Sequence, residues 1–155
     1  MDDFMKACEL MQEQLGDDNI VALATCKNNQ VTVQNINVFY KEGAVYGITD
    51  ELTRKMVNIS TNPNVSFCKT FDPAQPVYKA WLEGSGMAEN FGHPKNHEMK
   101  NEIIRVFGSF YNPQHYENIP TTCILKINLT KATVLDGKYK YLIDYPKKTV
   151  QRVEW

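Results

Sequence analysis

The stretch Thr49-Asp50-Glu51-Leu52-Thr53-Arg54-Lys55 sets two threonine hydroxyls beside two adjacent cations at the entrance to a helix. A helix N-terminus presents unpaired backbone N–H groups and a partial positive charge, so it attracts anions. Arg and Lys in that first turn oppose the helix dipole, whereas the acidic residues Asp50 and Glu51 on the approach suit it. Two readings follow. In one, Asp50 or Glu51 pairs with Arg54 in a solvated turn. In the other, Arg54 and Lys55 hold a phosphate, Thr49 and Thr53 add hydroxyl donors, and each charge-assisted bond contributes roughly 1.5–3 kcal/mol.

A second polar group sits inside an otherwise apolar strand, Gln34-Asn35-Ile36-Asn37. Strand side chains alternate between faces, which puts Asn35 and Asn37 with Val33 and Phe39, and Gln34 with Ile36. Amides on such a face fit a pocket needing donors and acceptors, or the exposed face of an edge strand. Trp81, Trp155, Tyr139, Tyr141 and Tyr145 could stack on a ring ligand or pack within a core or interface. His93 and His97 form an i, i+4 pair, but Pro94 suits a first helical position and makes His93 a flanking or capping residue. No third residue has convincing ligand spacing, so no metal site is expected. The chain carries no G-x-S-x-G, Walker loop or dinucleotide fingerprint, and no catalytic residue can be assigned.

The elements that must position these groups are legible from periodicity. Phe4, Cys8, Leu10, Met11 and Leu15 recur at helical spacing up to Gly16. Strands are expected over 20–26 and 31–40 around the turn Lys27-Asn28-Asn29-Gln30, and over 44–49. A short helix follows over roughly 52–60 and ends at Asn62-Pro63, before a strand over 65–71. A long strand over 77–90 is bent or bulged at its glycines. Residues 95–107 read as a helix, and strands over 121–135 and 138–145 close the chain around the tight turn Asp136-Gly137. Mostly antiparallel strands on short turns, with helices inserted, favour a barrel or a sandwich in a single domain over 1–155.

Length and composition agree. The 155 residues suffice for one core, and the hydrophobic fraction of 43% is that of a globular chain. A net charge of −1 does not fit a broad nucleic-acid surface, so any cationic site must be local. The acidic, amphipathic start is not a signal peptide, and no segment reaches the length of a membrane span. Four scattered cysteines without a C-x-x-C pair read as reduced, buried thiols in a cytoplasmic protein.

The order of these pieces resembles a known family. A helix leads into I-V-A-L-A-T (20–25), then a strand with a polar patch, V-Y-G-I-T-D-E-L-T-R-K (45–55), N-P-N-V-S-F (62–67) and W-L-E-G-S-G-M-A-E (81–89). This resembles the pyridoxamine 5′-phosphate oxidase-like family of FMN-binding split β-barrels, most nearly its general-stress-protein and nitroimidazole-reductase-like members. The likeness covers roughly residues 5–135 and is most specific from Tyr46 to Phe67. It implies an antiparallel split β-barrel, a homodimer with FMN at the subunit interface, and a flavin-dependent reductase using NAD(P)H and a small-molecule acceptor. It implies that Thr49, Thr53, Arg54 and Lys55 hold the FMN phosphate. It also implies that Gln34, Asn35, Ile36 and Asn37 run beside the flavin ring, and that Lys79 or Trp81 reaches in from the partner chain. The oxidase proper carries an arginine where this chain has Gln34 or Asn35, and its C-terminal substrate-gripping motif is missing from the ending YPKKTVQRVEW. Oxidation of pyridoxamine phosphate is therefore not expected. A non-catalytic flavin- or haem-binding storage or sensor protein is the alternative.

Overall fold

The computed structural model describes residues 2–69, 74 and 81–155. The chain starts with helix α1 (Asp3–Leu15), whose N-cap Asp2 accepts the Met5 N–H. Ala7, Met11 and Leu15 recur every four residues, so they form one fully buried stripe against the sheet. Strands β1 (Asn19–Lys27) and β2 (Gln30–Lys41) follow as a hairpin. Its two-residue turn needs positive φ at both positions, which Asn28 (51°) and Asn29 (62°) tolerate. Next come β3 (Ala44–Asp50), α2 (Arg54–Thr61), β4 (Asn64–Lys69) and β5 (Leu82–Asn90). After β5 lie α3 (Lys100–Phe107), the single turn α4 (Pro113–Tyr116), and strands β6 (Thr122–Asp136), β7 (Tyr139–Asp144) and β8 (Thr149–Glu154).

The sheet order is β3-β2-β1-β4-β5-β6-β7-β8, every pairing antiparallel, and an additional β3–β6 pairing closes the first six strands into a barrel. The long strand β6 makes this possible. Its first half pairs with β3 and its second half with β7, and the β5 register shifts between Ser85 and Gly86 at the change-over. A side chain at Gly86 would run into the Asn128 backbone, so glycine permits the close approach there.

The barrel is split where β2 meets β3. Those strands pair only through Val38–Lys41 and Ala44–Gly47, so among the described residues 30–37 of β2 pair with β1 alone. Helix α2 contributes Met56 and Ile59 to the main core, beside Leu23, Ile36, Val65 and Phe67. A second core lies on the outer face, where Ile103 and Phe107 of α3 cover Phe39, Tyr46 and Ile124. Helix α3 covers only one end of that face. Val31 and Val33, earlier on the same face of β2, stay 66% and 63% exposed.

The sequence expectations need several corrections. The second helix begins at Arg54 rather than 52, because Thr53 is extended at φ −67°, ψ 154°. The helix expected over 95–107 begins only at Lys100, and Pro94 opens a turn bonded from His97 N to its own carbonyl. The imidazole rings of His93 and His97 organise that loop instead of opening a helix. His93 Nδ1 accepts the Lys95 N–H and its Nε2 bonds the Ile119 carbonyl; His97 does the same with the Met99 N–H and the Phe91 carbonyl. Residues 137–138, not 136–137, form the β6–β7 turn, since Asp136 still pairs with Tyr139. Of the cysteines, all free, only Cys123 is buried; Cys68 is exposed on β4. The expected strands over 65–71 and 77–90 extend partly outside the described residues. Among the described residues no helix is long and apolar enough to cross a membrane.

Candidate functional site

The β3–α2 junction is held by Asp50. Its carboxylate accepts the Leu52 N–H and the Thr121 hydroxyl, both at 2.8 Å, and these two bonds hold its pKa below the usual carboxylate value. Thr53 donates its hydroxyl to the Asp50 carbonyl at 2.7 Å, so the N-cap of α2 lacks a side-chain cap. The first turn of α2 carries no acidic residue. A helix end left in this condition keeps its N–H groups and dipole available to an external anion.

Arg54 and Lys55 diverge from this point. Lys55 is half-buried, and desolvation lowers its pKa against the opposing pull of Cys123 and Asp50. An anion arriving beside it would relieve that shift. Cys123, which pairs with Thr49 across β3 and β6, is pushed up to about 11 by burial and then by Glu51 and Asp50. Arg54 instead lines an open groove of about 660 Å³ between the β1–β2 hairpin and the outer side of α2. Lys27, Asn28, Gln30 and Thr32 form one wall; Leu52, Arg54, Val57 and Asn58 form the other.

The walls are tied together underneath. Asn58 Nδ2 donates to Thr25 Oγ1 at 3.0 Å and to Thr32 Oγ1 at 3.2 Å, and the two hydroxyls are 3.1 Å apart. Asn58 and Thr25 are buried, so this network fixes α2 on both strands of the hairpin. Sequence reasoning missed Lys27, Thr32 and Asn58. Asn58 lies one helical turn after Arg54, a legible spacing, but its threonine partners are set by the docking of α2.

The residues Gln34 to Asn37 divide between two environments. Gln34 and Ile36 fall on the inward face with Thr32, Ile36 being buried. Asn35 is exposed on the outer face, continuous with Val31 and Val33. Asn37 donates to the Asp18 carboxylate at 2.8 Å. A shallow depression of about 340 Å³ crosses this outer face, lined in part by Ala24, Cys26, Val31, Ser66, Ser85 and Met87. Trp81 stands apart from Arg54: its ring meets Trp155 edge-on at 6.2 Å and Lys140 Nζ at 5.2 Å. Lys79, the other register for that contact, lies outside the described residues.

The arrangement defines a class: a six-stranded split β-barrel with a cationic, uncapped helix at its opening. No family model and no curated protein sequence matches the chain. Solved structures do. General stress protein 26 from Bacillus anthracis str. Sterne aligns with a TM-score of 0.63 at 18% identity, covering 96% of this chain and all of that one (100%). A putative pyridoxamine 5′-phosphate oxidase from Listeria innocua aligns at 0.64 and 13% identity, covering 86% and 98%. HutZ, the heme storage protein from Vibrio cholerae, aligns at 0.62 and 14% identity, covering 84% and 93%. The fold of this chain is thus the split barrel of the pyridoxamine 5′-phosphate oxidase-like proteins.

Proposed function

We propose that this chain is an FMN-binding flavoprotein that acts as a flavin-dependent oxidoreductase, taking electrons from a nicotinamide donor and passing them to a small-molecule acceptor. The observation that carries the reading is the β3–α2 junction: an uncapped helix start without acidic residues, with Arg54 and Lys55 in its first turn. That chemistry suits a phosphate monoester, and Thr49 stands one strand-end away. Gln34, on the same face of β2 as the groove residue Thr32, suits the polar edge of a flavin ring. Nanomolar binding needs about 12 kcal/mol, which a few charge-assisted bonds and a buried ring can supply after association costs. Bound flavin supplies the hydride or electron transfer, while these residues bind it, orient it and exclude water.

The same reading calls for a homodimer. Val31, Val33, Ile20 and Met87 are large apolar side chains left exposed on or near the face that α3 does not cover. Trp81 and the Arg54 groove are separate within one chain, so a partner is needed to bring them to one ligand.

The likeness to HutZ favours a second reading, a storage protein for flavin or haem. Both ring nitrogens of His93 and His97 already hold backbone groups, so neither ring is free to ligate haem iron. Visible absorption of the purified protein, followed by titration of the apo form with FMN and with haem, separates the two. A yellow protein whose flavin is bleached by NADH or NADPH and reoxidised by an acceptor is the expected result. Haem binding without flavin uptake would overturn the oxidoreductase reading.

A further inference from the structure

We propose that Lys27 is a second cationic clamp for the ligand's phosphate, holding it against Arg54 across the hairpin–helix groove. The identity of the ligand as FMN rests on the reading above; the placement of the clamp does not. Along β1, Val21, Leu23 and Thr25 point inward and are buried, and Lys27 continues that alternation at the strand's end. The turn at Asn28 and Asn29 pairs Lys27 with Gln30, which puts both side chains on the face that α2 covers. They overhang the layer formed by buried Thr25 and half-buried Thr32, and form one wall of the groove whose other wall is Arg54 and Asn58.

Three properties of this groove ask for an anion. Its lining, among the described residues, has two cations and no carboxylate. Among the described residues neither Lys27 nor Arg54 forms an ion pair or a side-chain hydrogen bond, although both line the same groove. The cations are also held by a rigid base, since Asn58 bonds both Thr25 of β1 and Thr32 of β2. Two like charges lining one groove without an internal counter-charge favour binding of an external anion. Preorganised walls reduce the ordering cost of that binding. The volume of about 660 Å³ exceeds a single phosphate and admits the polyol chain that bears it, with Asn28, Gln30 and Thr32 as hydrogen-bonding partners.

The test compares FMN with riboflavin, which lacks the phosphate, on wild type, Lys27→Gln and Lys27→Arg. Lys27→Gln is expected to weaken FMN roughly tenfold or more and to leave riboflavin unchanged, with Lys27→Arg restoring most of the loss. Equal FMN affinity in wild type and Lys27→Gln overturns the clamp and leaves the flavin reading standing. If wild type takes up neither flavin, that reading falls, and inorganic phosphate followed by amide NMR decides the groove. Shifts at Asn28, Thr32 and Asn58 that vanish in Lys27→Gln support the clamp for another phosphate ester. Shifts that persist in Lys27→Gln, or none in wild type, overturn it.

Discussion

The Asn58 side-chain amide donates to the Thr25 hydroxyl at 3.0 Å, and both residues are buried between helix α2 and the barrel wall. Thr32 completes the network from the next strand. Removing Asn58 leaves two hydroxyls without their donor and a space behind the groove. Asn58→Ala is expected to destabilise the protein by about 1–3 kcal/mol in urea unfolding. It should also weaken FMN more than riboflavin, because the groove walls lose their tie. Wild-type stability in this variant would show that the network is dispensable.

Arg54 and Lys55 point into different surroundings, so their variants should differ. Arg54→Gln is expected to lower FMN affinity about tenfold with riboflavin unaffected, the signature of a lost phosphate contact. Lys55→Gln should lower it as well, but with a smaller salt dependence, since half-buried charges are less screened than exposed ones. Fluorescence titration of the apo protein at two ionic strengths reads both effects. Variants with the wild-type preference for FMN over riboflavin would remove the phosphate from this junction.

Asp50 holds the strand end through Leu52 and Thr121, and these bonds lower its pKa from the ordinary 3.8. A lowered folded-state pKa means that the stabilisation is complete above the unfolded value and disappears as pH falls through the folded one. Asp50→Ala should therefore melt below wild type at neutral pH, and the gap should close as acid protonates Asp50 in the wild type. A gap constant from neutral pH into acid would show that ionisation of Asp50 is not what matters.

The thiols should separate by reactivity. Cys68 is exposed, whereas Cys123 is buried with its pKa pushed up to about 11. The thiolate is the reactive form, so Cys123 stays inert in the folded protein. Titration with a thiol reagent is expected to show a fast phase lost in Cys68→Ser and a thiol that reacts only on unfolding. Rapid reaction of every thiol in native protein would contradict the burial of Cys123.

The uncovered face of β2 predicts association. Val33→Asp introduces a charge where an apolar side chain is 63% exposed, so a monomeric fold should tolerate it. In sedimentation, a wild-type dimer that Val33→Asp converts to monomer is the expected outcome, with flavin affinity falling in parallel. A wild-type monomer that binds FMN tightly would end the shared-site model.

How much of this was legible beforehand depends on whether the cause was local. Alternating burial in β1 and β2, the Asn28-Asn29 turn and the four-residue apolar period of α1 rest on neighbours a few residues apart, so the sequence determined them. It also determined that cations begin α2, because that is a matter of order along the chain. Strand β8 could not be assigned from the sequence because five of its six residues are exposed and show no alternation. The start of α3 was misplaced because His93 and His97 bind carbonyls of Ile119 and Phe91, which nothing nearby in sequence announces. Only the tertiary structure decided that Arg54 faces Lys27 while Lys55 turns toward Asp50 and Cys123. That outcome follows from the angle at which α2 docks on the barrel, chiefly against β1 and β5. The angle is fixed by burial of Met56 and Ile59 and by the bonds of Asn58, contacts between distant segments that exist only once the barrel has closed.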